Sequence, residues 1–388
     1  MQIAYKLLIF LRFYIDKIKA GAIQLLFYLK LGVIIYMKDD CIYTIAGWLD
    51  VPKILSFKQN NIFIVGARGV GKTYGILEYC IINKLRFAYI RRTQKQADLC
   101  KGKRGNPFKT LNNDHNWNII ADTEDDITCF FESEENEKGK RVPVGEQLGY
   151  LFSLSTFANM RSVDLSDIDI IFYDEFIKQL DERPLRNEAT AFLNMCETIG
   201  RNKELATGKA LKVICAANSN SLDNDIFYYL RLVTVGEKMK RKGIMCHIDN
   251  DRDLRLYILK DSPISEKKKE TSLYKLAKGT DFEDMAINND FVDDDTSLVK
   301  QLPLKEFRPI VSVGEVCIYR HKFDRRFYVT THFSGSPEHY NVTDRDLKRF
   351  RKNYSYLWDA YFLEDDTINF ETYGCQSAYL RYLKNKKF

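Results

Sequence analysis

The sequence predicts an α/β protein: a central, mostly parallel sheet with crossover helices over residues 37–264, and a smaller α+β region over 298–388. Three observations carry this. Strand-like apolar runs alternate with helix-like runs from about residue 60 to 232, the pattern of strand–crossover–strand units. A glycine-rich turn, Gly66-Ala-Arg-Gly-Val-Gly-Lys-Thr73, joins the first strand to the first helix. Beyond 298 the pattern becomes short alternating strands, as in hairpins.

Taken in order, residues 1–36 are apolar but interrupted by Lys17, Lys19 and Lys30. No run reaches the roughly 20 residues that span a bilayer, and no stable membrane association is expected. This stretch is read as a dispensable extension ahead of Met37, with a partner or membrane-lying helix, or a segment integral to the fold, as the alternatives. Residues 61–65 form the first strand and 74–83 the helix after the turn. Residues 86–90 are a strand ending in Arg91 and Arg92, which either bind nucleic-acid phosphate or solvate the strand end. Residues 127–132 and 150–154 are further strands, with a charged hairpin or loop at 133–141. Residues 168–174 are an apolar strand ending in Asp174 and Glu175; 187–199 are a helix followed by Arg201; 211–217 are a strand ending at Asn218. Residues 254–259 are the last strand of this region, stopped by Pro263. The basic run 238–242 reads as a loop.

Residues 265–297, with Glu266-Lys-Lys-Lys-Glu270 and a later acidic stretch, read as a linker with short helices. Strands are then expected at 310–313, 316–320 and 327–331, and helices at 344–352 and 375–383. Arg345, Lys348, Arg349, Arg351 and Lys352 cluster beside Tyr354 and Tyr356. They fit either a face for nucleic acid or another acidic surface, or an ordinary solvated one.

The turn fits G-x-x-x-x-G-K-[ST] between a strand and a helix, the context a P-loop (Walker A motif) requires. Gly66, Ala67, Arg68, Gly69, Val70, Gly71, Lys72, Thr73 and Tyr74 are the candidate ATP-binding residues. The glycines let backbone N–H groups curl around phosphate, and the helix N-terminus adds partial positive charge. Lys72 would reach the β- and γ-phosphates, and Thr73 would bind Mg2+. Asp174 would be the second magnesium residue and Glu175 the base that polarises water (the Walker B pair). Asn218, at a strand tip, is a γ-phosphate sensor or an Asx turn. Arg201 either reaches a neighbouring subunit's ATP or complements its helix C-terminus. Arg161 is a second basic candidate, against a plain surface arginine. Arg68 would contact phosphate or link to the Asp174–Glu175 end.

The 388-residue chain carries a net charge of +6, which suits transient, salt-sensitive contact with DNA phosphates. Its nine cysteines are scattered, without a Cys-x-x-Cys pair. That argues against a zinc site or a disulfide framework.

The combination of Gly66–Tyr74, Tyr89-Ile-Arg-Arg92, Ile171-Phe-Tyr-Asp-Glu-Phe-Ile177, Asn187-Glu-Ala-Thr-Ala-Phe-Leu-Asn194, Arg201-Asn-Lys and Cys215-Ala-Ala-Asn218 resembles the DNA-packaging ATPases of phi29-like podophages, relatives of the large terminase motors. Similarity continues more weakly through 340–347. The resemblance implies an ASCE-type P-loop ATPase, a linker, and a C-terminal domain like a vestigial, silent RNase H-like nuclease. It implies a homo-oligomeric ring, a pentamer, at the portal of a procapsid, driving double-stranded DNA inward with ATP and Mg2+. It makes Arg201 the trans arginine finger and sets Arg161 near a basic trans-acting residue. A packaging RNA stays open as a partner. The expected location is the host cytoplasm, transiently the portal vertex, and not the mature virion. A helicase and a nucleotide-gated scaffold are the competing readings.

Overall fold

The computed structural model describes residues 42–384, leaving aside 161, 180, 261, 285, 287–290, 292–293, 336 and 364–366. Residues 1–36, read above as an extension, lie outside the described residues.

The first sheet contains β1 (Asn61–Val65), β2 (Phe87–Arg91), β3 (Ile119–Glu124), β4 (Ile127–Glu135), β5 (Arg141–Ser153), β6 (Ile170–Asp174), β7 (Lys212–Ala217), β8 (Cys246–Asp249) and β9 (Leu254–Ile258). Their order is β3-β4-β5-β2-β6-β7-β1-β9-β8. From β5 to β9 all neighbours run parallel. Antiparallel β3, β4 and β8 extend the two edges, so the sheet is mixed with a parallel centre. The central strands are apolar because both faces are covered: every residue of β6 is buried. β5 is longer than its sequence suggests. Only its last five residues are buried; the earlier half extends past the core and carries no apolar alternation strong enough to read.

The basic run 238–242 is a helix end and not a loop. Helix Val233–Lys242 buries Val233, Gly236 and Met239 and ends at Gly243 in the left-handed region. Buried residues three apart mark one helical face, which the surrounding lysines obscure.

The second sheet contains β10 (Phe307–Val313), β11 (Val316–His321), β12 (Phe327–Thr330), β13 (Glu338–Tyr340) and β14 (Ile368–Phe370), in the order β13-β10-β11-β12-β14. β10 to β12 form an antiparallel meander. β13 and β14 run parallel to the meander's outer strands. Helices Asp344–Asn353 and Tyr373–Leu383 close a core that includes Val311, Ile318, Val329, Phe350 and Tyr379. Among the described residues no helix is long and apolar enough to cross a membrane.

Helix Tyr373–Leu383 ties this region to the first. Arg381 donates to Asp225 at 2.6 Å and to Asp223 at 2.7 Å, and its guanidinium lies 4.4 Å from the Tyr228 ring centre. Ser377 donates to Asp223 at 2.6 Å, and the Tyr373 N–H donates to Glu237 at 2.8 Å. The Arg381 side chain is only 12% exposed. Removing it would leave two carboxylates without their cation, so Arg381→Ala should cost about 3 kcal/mol. Chemical denaturation of this variant beside Arg308→Ala, an exposed arginine, checks it.

Candidate active site

Neighbouring parallel strands end on the same side, so β1, β2, β6 and β7 deliver their C-terminal residues to one edge, where open α/β sheets bind ligands. A cavity of about 330 Å³ opens there, lined by Arg68, Gly69, Gly71, Lys72, Thr73, Tyr74, Asp174, Glu175, Ala217 and Asn218. Sequence residues 100 apart thus meet. Ala67 and Val70 are fully buried and support the loop from behind. A Cβ at Gly66 would come within 2.5 Å of the Leu259 side chain. Gly71, with φ 93°, caps helix Lys72–Ile82 in a conformation closed to most side chains.

Lys72 is 7% exposed. Its Nζ donates to the carbonyls of Gly66 (2.9 Å) and Ala67 (2.8 Å) and to Asn218 Oδ1 (3.3 Å). Burial brings its pKa down to about 8, against the pull of Asp174 and Glu175. Thr73 Oγ1 donates to Asp174 Oδ2 at 3.0 Å. The same oxygen accepts from Tyr89 at 2.8 Å and from Arg91 Nη1 at 3.2 Å. Burial pushes the Asp174 carboxyl up, with Arg91 the leading opposing influence.

Arg91 Nη2 grips Glu175 Oε2. Glu175 has φ 54°, a left-handed conformation that costs an ordinary residue about 1–2 kcal/mol. The cause is packing on either side. Asp174 ends a buried strand, and Phe176 and Ile177 are 1% and 2% exposed. The backbone must reverse at Glu175 to return Phe176 to the core, and this turns the Glu175 side chain into the cavity.

Arg92 faces the other way. It is fully buried, held by Glu188 through Nε at 2.7 Å and Nη2 at 2.9 Å, and by Glu182 at 2.9 Å. Neither Arg91 nor Arg92 is available to DNA phosphate: successive strand residues alternate faces, and each arginine meets acids on its own face. Arg68 lines the cavity and donates to Gln179 at 3.3 Å, in the loop beyond Glu175. Arg201 is outside this constellation, exposed at the end of helix Glu188–Gly200 with φ 37°, its Nη2 donating to the Val163 carbonyl at 3.1 Å. Arg161 lies outside the described residues.

Residues 46–372 match a family model described as Podovirus DNA encapsidation protein (Gp16). This chain belongs to that family. Among encapsidation relatives, it is similar to the DNA packaging protein of Bacillus phage phi29, 27% identical over 256 residues, or 64% of this chain and 67% of that protein. The DNA packaging protein of Bacillus phage PZA is 28% identical over 249 residues, 62% of this chain and 65% of that protein. The chain thus spans about two thirds of each relative's length. The fold is similar to that in the solved bacteriophage Phi-29 viral genome packaging motor assembly, with TM-score 0.61 and 21% identity over 87% of this chain and 99% of that one. It is also similar to the Phi-28 gp11 DNA packaging motor, with TM-score 0.55 and 18% identity over 86% and 97%.

In this encapsidation-family chain, sequence reasoning missed Tyr89 and Arg91 as partners of the acidic pair. The available signal was their i, i+2 spacing on β2, but nothing local says that β2 lies beside β6. It also missed Lys268, which donates to the carbonyls of Arg68, 200 residues away, and Gly69 in the glycine-rich turn. The strain at Glu175 is separable from its ion pair, because alanine and glycine both remove the pair. Glu175→Gly should be more stable than Glu175→Ala by about 1 kcal/mol, measurable as a shift in thermal midpoint.

Proposed function

We propose that this viral DNA-packaging protein is an ATPase that couples Mg2+-dependent ATP hydrolysis to the movement of double-stranded DNA through the portal of a procapsid, as one subunit of a homo-oligomeric ring, a pentamer. The observation that carries the reading is the meeting of Asp174 and Glu175 with Lys72 and Thr73 at the mouth of one cavity. Thr73 Oγ1 and Asp174 Oδ2 are hard oxygen donors 3.0 Å apart. Adjacent corners of an octahedron with magnesium–oxygen bonds are about 2.9 Å apart, so the pair fits Mg2+, with Asp174 acting directly or through a coordinated water. When bound, the ion would neutralise charge on the β- and γ-phosphates.

The protein's own residues do the rest. Lys72 exchanges its carbonyl partners for phosphate oxygens, and Asn218, already at its ammonium, reads whether the γ-phosphate is present. Arg91 releases Glu175, which then takes the proton of the attacking water. The exposed Arg201 serves a neighbouring subunit's site as the trans arginine finger, and Arg161 is a second trans-acting cation. The exposed face of Arg345, Lys348, Arg349 and Lys352 on helix Asp344–Asn353 suits nucleic-acid phosphate, a packaging RNA included, or an acidic portal rim.

The C-terminal region acts as a silent relative of the RNase H-like nucleases. A two-metal nuclease needs converging carboxylates. Here Asp324 pairs with Arg326 and His321 in one turn, Asp346 accepts from Asn341 at a helix start, and Glu315 faces Arg231 in another turn. The chain works in the host cytoplasm, visits the portal vertex, and is absent from the mature virion.

ATP hydrolysis by the full chain with and without duplex DNA tests the reading. DNA should stimulate turnover. Glu175→Gln should lower it at least ~10²-fold while leaving ATP binding intact, and Arg201→Ala should lower it as well. Turnover indifferent to DNA and to Glu175→Gln would overturn the assignment. Strand separation would favour a helicase, and nucleotide binding without turnover would favour a scaffold.

The free-state Lys72 pKa of about 8 sets a pH dependence. Its charged form meets phosphate, so ATP binding should be strongest below pH 8 and weaken by up to ~10-fold per pH unit above it, with proton uptake. Calorimetry in buffers of different ionisation enthalpy would detect that proton.

A further inference from the structure

Helix Pro263–Lys269 follows β9 and opens the segment read as a linker. Its three consecutive lysines do different things. Lys267 is exposed, and Lys269 pairs with Glu266 on the same helix at 2.8 Å. Lys268 turns inward. Its Nζ donates to the carbonyl oxygens of Arg68 and, at 3.1 Å, Gly69, the outer crest of the P-loop. The approach is close: a Cβ on Gly69 would lie 2.5 Å from that nitrogen.

The helix is braced where it stands. Leu259, just before it, donates its N–H to Val65 O at 2.8 Å, beside the strand that enters the P-loop. Tyr43 donates to Lys260 O at 3.0 Å. A Cβ at Gly47 would come 2.9 Å from Pro263, and the next residues reach the P-loop directly, with Leu49 N–H donating to Val70 O at 3.0 Å. The lead-in before β1, the P-loop and the linker helix therefore form one bracket, with Lys268 as its charged contact.

We propose that Lys268 is a positioning residue for phosphate binding, which grips the carbonyl side of the P-loop and so links nucleotide affinity to the position of the linker helix. The inference rests on the ATPase reading. The two peptide units whose oxygens Lys268 holds carry the N–H groups of Gly69 and Val70 at their other ends, and such N–H groups are what a P-loop offers to phosphate. A cation on the oxygen polarises the unit and strengthens its N–H as a donor. It also fixes Gly69 in the left-handed conformation, φ 65°, that shapes the nest. Coupling of this kind is reciprocal: ATP that needs the braced loop holds the linker helix in place, and a displaced linker helix weakens ATP binding.

The test uses the full chain and a fluorescent ATP analogue with Mg2+. Lys268→Met keeps length and loses charge. It should weaken nucleotide binding and raise KM by about 10-fold or more, the scale of a charge-assisted hydrogen bond, with kcat changed less than about twofold, because no reacting atom is touched. Lys268→Arg should recover part of the affinity, and Lys267→Met should behave as wild type. Trypsin supplies an independent readout at the Lys267–Lys269 run. A slowly hydrolysed ATP analogue at saturation should slow cleavage there in wild type but not in Lys268→Met. Unchanged binding by Lys268→Met, or wild-type cleavage indifferent to bound nucleotide, would sink this inference alone. A wild-type chain that binds no nucleotide would instead sink the ATPase reading beneath it. If Lys268→Met fails to fold, Lys268→Arg and the wild-type protection measurement decide.

Discussion

The pairing of β2 with β6 is the constraint on which the site depends. Its register places Ile90 opposite Tyr173, so Arg91 arrives beside Asp174 and Glu175. Strand alternation then sends Arg92 to the opposite face, toward Glu188 and Glu182. A slip of one residue in one direction would set Ile90 beside the acidic pair and Arg91 beside Glu188. In the other direction it would set Arg92 beside the acidic pair and Thr93 beside Glu188, whose side chain is 7% exposed. Either slip strips one acidic site of its cation. Register is usually specified by apolar patterning; here two adjacent charges with separate partners specify it as well.

The site is also organised against itself. Glu175 is placed by a backbone conformation that its side chain disfavours and is then tied to Arg91. Lys72 is spread over two carbonyls and Asn218. On the proposed ATPase reading, each group that would meet phosphate has a partner within the chain, and phosphate would have to compete with it, so that buried charge stays compensated.

Much of this was legible in the sequence. Strong local signals marked the glycine-rich turn at 66–73, the strand ending in Asp174–Glu175 and the strand ending at Asn218, because glycine spacing and apolar runs are properties of neighbours in the chain. The cavity gathers Lys72, Thr73, Asp174, Glu175 and Asn218 as those motifs indicated. What escaped were relations between distant segments. Tyr89 and Arg91 gain meaning only from strand order. Lys268 sits in a lysine run that reads as solvated until its helix is placed. β13 and β14 are three residues each, too short to show a period. The role proposed for Arg201 needs a neighbouring subunit, whereas within the chain its side chain donates to the Val163 carbonyl.

The docking of helix Tyr373–Leu383 on the first sheet's helices has a topological consequence. The chain leaves that sheet at Ile258, builds the second sheet, and returns to residues 223–237 through Arg381, Ser377 and Tyr373. The C-terminal region is therefore clamped at both ends, like a handle fixed to its vessel at two points and not a bead on a string. Swinging the second sheet away from the first would require breaking the contacts of Arg381, Ser377 and Tyr373 as well as bending the connecting chain.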